Sequence, residues 1–115
     1  MAGYLILLYE NEASWADADE LTSHEIYAEH GAFGEANRAA VSGGNALAPS
    51  GAATSIRRDS SGELTVTDGP FVETKEALGG YYLIEAADLD QAIGIAKQVP
   101  ARFGGVEVRP IRVFD

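Results

Sequence analysis

In this 115-residue sequence, His30 and Asp68 are of the types that could together move a proton near neutral pH. An imidazole titrates close to neutrality, and a carboxylate on its second ring nitrogen selects the tautomer and stabilises the imidazolium form. Brought together in a cleft, His30 as acid/base and Asp68 as its orienting group would form a catalytic couple. Tyr9 and Tyr81 could donate hydroxyl hydrogen bonds to a bound molecule, Trp15 could line a cleft mouth, and Lys75 could meet an anionic group. Each has a plainer reading as well. His30 also reads as a half-buried helix residue satisfied by a neighbour, Trp15 as a cap on the core, and Asp68 in Asp68-Gly69-Pro70-Phe71 as a turn residue bonding amides two positions on. His24 and His30, six apart, do not share a helical face, so no metal site is expected from them, and no cofactor is implied.

The elements that must position these groups follow from periodicity. Gly3 to Glu10 is a short apolar run and reads as a central strand buried on both faces. Asn11 to Glu20 reads as a loop or a frayed helical turn. From about Thr22 to Val41, Ile26, His30, Phe33 and Asn37 recur at helical spacing, with Thr22 or Ser23 as N-cap, Glu25 completing a capping box, and Ser42-Gly43-Gly44 as the stop. Asn45 to Ala48 reads as a short edge strand and Pro49-Ser50-Gly51 as a turn. Residues 54–58 and 63–67 alternate across Asp59-Ser60-Ser61-Gly62 as a hairpin. Gly80 to Ala86 is a further strand. Asp88 then caps a helix to Lys97 whose apolar face would be Leu89, Ala92, Ile93 and Ala96. Val106 to Val113 alternates as a last strand, with Pro110 placing it at an edge or a bulge.

This order predicts a single α+β domain over residues 1–115. The architecture is ferredoxin-like, with a mainly antiparallel sheet, two helices on one face and an extra β-hairpin. The bare sheet face predicts a homodimer. A net charge of −10 with scattered cations argues against direct nucleic-acid contact. The absence of cysteine excludes a thiolate nucleophile, a disulfide framework and a Cys-based zinc site. Tyr4 to Tyr9 is too short for a membrane span or a signal peptide, so a cytoplasmic location is expected.

Asp68-Gly69-Pro70-Phe71, followed by Glu73-Thr74-Lys75-Glu76 and Gly79-Gly80-Tyr81-Tyr82, occurs with Tyr4 to Tyr9 near the start and Val106 to Pro110 near the end. In that arrangement the chain resembles the DGPF branch of the YCII-related (YciI-like) family over essentially its whole length. The resemblance implies a dimeric ferredoxin-like α+β barrel with a cleft in each subunit and a His and Asp pair. It also implies a dehydrochlorinase relative acting on a chlorinated hydroxyquinol, and an association with extracytoplasmic-function sigma factors. His30 aligns with the family histidine, whereas the position of the partner acid, before Pro100, is Val99. Asp68 is then the candidate replacement acid. Three function classes follow: a small-molecule-binding or lyase-like enzyme using the cleft, a protein-interaction module, and a structural dimer with a vestigial site.

Overall fold

The computed structural model describes residues 1–114. Its elements are β1 (Ala2–Asn11), α1 (Glu12–Asp17), α2 (Glu20–Ala36), β2 (Val41–Ala46), β3 (Thr54–Arg58), β4 (Leu64–Asp68), β5 (Glu76–Ala86), α3 (Leu89–Ala96) and β6 (Gly104–Pro110), with a 3₁₀ turn at Ser50–Ala52. Four strands form one antiparallel sheet in the order β2-β5-β1-β6, and β3 pairs with β4 in a separate hairpin. This is the ferredoxin-like strand order, with the hairpin inserted between the second and third strands of the sheet.

The core lies between the sheet and its helices. Along β1 the even residues Tyr4, Ile6, Leu8 and Glu10 are buried, while Leu5, Leu7 and Tyr9 on the other face are only partly covered. Tyr4, Ile6 and Leu8 pack with Phe33 of α2, with Ile84 and Ala86 of β5, and with Ala92, Ile95 and Ala96 of α3. Full burial of Ile6 and Ile84 contributes roughly 1.5–3 kcal/mol for each side chain. β1 is therefore central, as its composition predicts, but buried on one face rather than two. Val99 joins this core, so the position where the resemblance places an acid is apolar packing.

Several local expectations are corrected. α2 starts earlier than expected, with Asp19 as N-cap accepting from the Thr22 amide at 2.7 Å. It ends at Ala36 with Asn37 as its cap, and Ser42-Gly43-Gly44, expected to stop the helix, lie in β2. A strand tolerates these glycines because its edge must come close to β5: a Cβ on Gly44 would lie 2.6 Å from the Tyr81 carbonyl oxygen. The acidic stretch after β1 forms α1, capped at its start by Asn11, whose side chain accepts from the Ser14 amide. In α3 the cap is Asp88 as expected, but Ala92, Ile95 and Ala96 are buried while Leu89 and Ile93 are exposed. β5 begins four residues earlier than its aromatic run suggests. Its register against β1 shifts where Leu8 faces Gly80 and Tyr9 faces Leu78, leaving Gly79 as a bulge.

Candidate active site

A buried carboxylate closes the alternation of β1. Glu10 follows Tyr4, Ile6 and Leu8 on the helix-facing side, is 6% exposed, and accepts a hydrogen bond from the Phe103 amide at 3.2 Å. On α2, His30 lies four residues after Ile26 and three before Phe33, both buried, so helical periodicity turns its ring toward the sheet. There Tyr82, opposite Ile6 in the β1–β5 ladder, meets it: His30 Nδ1 and the Tyr82 hydroxyl are 2.6 Å apart. The rings stack with centroids 5.9 Å apart, and Phe33 supports Tyr82 at 4.8 Å. Among the described residues His30 Nε2 has no protein hydrogen-bond partner, and the ring is half-exposed.

Two opposing effects act on this imidazole. Burial holds its pKa below the ordinary histidine value, and the negative charges of Glu10 and Glu29 push the other way. The net shift is downward, so His30 is neutral at pH 7. Burial also raises the Tyr82 pKa, so its hydroxyl keeps its proton. With Nδ1–H donating to Tyr82 Oη, the Nε2 lone pair is free to take a proton, and the Nδ1–H hydrogen bond survives in the imidazolium. With the hydroxyl donating to Nδ1 instead, Nε2–H is a donor. The pair can accept or deliver a proton at the same atom.

Aromatic side chains build the end of the sheet beside Glu10. Trp15 of α1 stacks on Tyr27 of α2 at 6.0 Å and meets Phe103 edge-on at 5.4 Å, and the Phe103 carbonyl accepts from the Asn11 amide. Trp15 thus ties α1, α2 and the approach to β6 together. Arg102 pairs with Glu29 at 2.7 Å on the same side, a surface contact worth about 0–1 kcal/mol.

The structure divides the residues singled out from sequence. Tyr9 and Tyr81 lie on the sheet face opposite His30, where the Tyr81 hydroxyl accepts from Asn45 at 3.0 Å. Lys75 is exposed between β4 and β5 and forms no ion pair among the described residues. Asp68 ends β4 opposite Thr54, and no hydrogen bond or ion pair joins it to His30 among the described residues. The His30 partner is Tyr82, and the carboxylates acting on it are Glu10 and Glu29. The amide-bonding turn expected of Asp68 is made by Asp59, whose carboxylate accepts from the Ser61 and Glu63 amides. Two open depressions, of about 410 and 350 Å³, lie on the hairpin and at its root, and neither is lined by His30 or Tyr82. Glu10 and Tyr82 are not among the residues expected from sequence, which include Tyr81. The available signal was period two: Glu10 continues the alternation of Tyr4, Ile6 and Leu8. Among the described residues no three His, Cys, Asp or Glu side chains converge on a metal-binding arrangement, and no helix is long and apolar enough to cross a membrane.

Glu10 has a measurable consequence. Replacing it with glutamine removes the larger of the two charges that favour the imidazolium, so the His30 pKa should fall further. NMR titration of the imidazole protons in the wild type and Glu10→Gln measures this; an unchanged or raised His30 pKa would remove Glu10 from the site.

The sequence profile of the YCII-related domain family matches residues 2–115. An uncharacterised protein of Rhizobium meliloti (strain 1021) is 36% identical over 124 aligned positions, which cover 96% of this chain and 93% of that protein. Among solved structures, 5-chloro-2-hydroxyhydroquinone dehydrochlorinase from Burkholderia phenoliruptrix AC1100, in complex with 2,5-dihydroxybenzoquinone, superposes with a TM-score of 0.58 at 16% identity, covering 97% of this chain and 95% of that one. At that identity the likeness is one of fold.

Proposed function

We propose, for a chain that belongs to the YCII-related domain family, that it is a small-molecule lyase in which His30 moves the proton and Tyr82 orients the imidazole. The observation that carries this reading is the His30 ring, held at Nδ1 by Tyr82 at 2.6 Å, neutral at pH 7 and open at Nε2. A base in that state suits an acidic hydroxyl on an electron-rich ring. The dehydrochlorinase that shares the fold supports a hydroxylated aromatic carrying a leaving group as the substrate class. His30 takes a ring hydroxyl proton, the oxygen electron pair becomes a carbonyl, and the ring carbon bearing the leaving group is protonated. That group then departs with its bonding electrons as a second hydroxyl loses its proton. The net change is loss of HX, and no oxidant is consumed.

The test is chloride release from a chlorinated hydroxyquinol, followed with the wild-type protein above the uncatalysed rate. Enzyme-dependent chloride is the expected result, and a rate equal to that without protein would overturn the lyase reading for this substrate class. The same reading takes the partly covered face of Leu5, Leu7 and Leu83 as the surface on which a second copy packs, supported by their incomplete burial.

A further inference from the structure

We infer that the β3–β4 hairpin is an arm that packs its Ile56, Leu64 and Val66 side against a second copy of this chain; the choice of partner rests on the homodimer reading above.

The two sides of the hairpin differ. On one side Ser55 and Arg57 bond the chain that follows β4, and Ser55 is buried. The Ser55 hydroxyl donates to the Gly69 carbonyl at 2.7 Å, and Arg57 donates to the Phe71 carbonyl at 2.8 Å while its guanidinium lies 3.8 Å above the Phe71 ring. Gly69, at φ +103°, makes this return possible, and its amide donates to Ala53. Asp68-Gly69-Pro70-Phe71 is therefore a strap laid along the arm. On the other side, cross-strand pairing of Ile56 with Val66 and of Arg58 with Leu64 gathers three apolar side chains, which are 58%, 64% and 51% exposed for Ile56, Val66 and Leu64. A two-stranded ribbon with one bare apolar side is marginal in water and gains its stability from what it packs against.

The root of the arm is tied down. The Ser50 amide and hydroxyl both donate to the Glu12 carboxylate, joining the arm to α1 at the end of the sheet that carries Glu10. The arm thus projects from the body as a fixed element rather than folding back onto the core.

The dimensions of the chain match the surface that a second copy would cover. The radius of gyration is 16.2 Å, against about 13 Å for a compact chain of this length. The accessible surface is 7909 Å², against about 6,000 Å² for a folded monomer of this mass. The excess of about 1,900 Å² falls within the roughly 1,000–2,500 Å² that each chain of an obligate homodimer removes from water. A two-fold axis supplies this closure with one chain, because each arm meets the same surface that the other arm meets.

The experiment is sedimentation equilibrium on the wild type, on Ile56→Lys combined with Val66→Lys, and on Leu7→Lys in the open sheet face. The expected result is a wild-type dimer whose dissociation constant rises at least about tenfold in the hairpin variant. Hairpin amides of the wild type should also gain hydrogen-exchange protection as concentration rises, which reports on the arm without any substitution. A wild type that stays monomeric at high micromolar concentration would overturn both the arm and the sheet-face reading. A dimer weakened by Leu7→Lys, but unchanged in the hairpin variant and without concentration-dependent protection of the hairpin, would overturn the arm alone.

Discussion

Replacing His30 with glutamine is expected to lower turnover of a chlorinated hydroxyquinol by about 10²- to 10⁴-fold, the contribution of a positioned general base. Glutamine keeps a polar side chain near Tyr82 but has no group that takes a proton at neutral pH. Tyr82→Phe should cost less, since Nε2 keeps its lone pair and only the anchor at Nδ1 is lost. A His30→Gln variant as active as the wild type would move the chemistry elsewhere. The same substitution has a signature in stability that does not depend on substrate. His30 has a lower pKa folded than unfolded, so as pH falls through about 6.5 the unfolded chain takes up the proton first and the wild type loses stability. The loss levels off below the folded pKa. Urea unfolding between pH 7.5 and 5.5 should show this decline in the wild type and a smaller one in His30→Gln.

Gly104→Ala should produce the largest loss of stability among single methyl additions, about 3 kcal/mol or more. Gly104 faces Glu10 in the β1–β6 ladder, and a Cβ there would lie 2.0 Å from the Tyr9 carbonyl oxygen and 2.8 Å from the Glu76 carboxylate. The obstacle is backbone, which has no rotamer to change. β6 would have to move away from β1 at the end where Phe103 donates to Glu10 and accepts from Asn11. Denaturant unfolding of Gly104→Ala beside Gly105→Ala measures the effect, because the neighbouring glycine has nothing within 4 Å of its missing Cβ. Equal stabilities for the two variants would contradict the close approach. Weakened binding or activity in folded Gly104→Ala would further tie this corner to the site, since Glu10 is held by the same segment.

Much of the fold was legible in local chemistry. The apolar strand from Gly3 to Glu10, the helical spacing of Ile26, His30 and Phe33, the hairpin across Asp59 to Gly62, and the cap at Asp88 are all short-range patterns, whereas burial of β1 on one face alone was not among them. Where local signals competed, tertiary contacts decided. Ser42-Gly43-Gly44 have the composition of a helix stop, yet they form a strand because β5 offers an edge to pair with. Leu89 and Ile93 fit an apolar helical face, yet the sheet buries Ile95 instead.

The site divides in the same way. By itself the sequence determined that His30 shares a helical face with Ile26 and Phe33, and that one of Tyr81 and Tyr82 must face the helices, since both follow from the fixed periods of helix and strand. Which tyrosine, and which acids, depended on register. Ile6 stands opposite Tyr82, which sets that tyrosine under His30 and turns Tyr81 away. Asp68 looked like the carboxylate for His30 because both are chemically apt. Its place at the root of a projecting arm follows instead from the pairing of Thr54 with Asp68, while Glu10 comes to the histidine from the end of the central strand. Periodicity selects the face a side chain takes, whereas partners 20 or 52 residues apart are chosen by packing of the whole sheet against its helices.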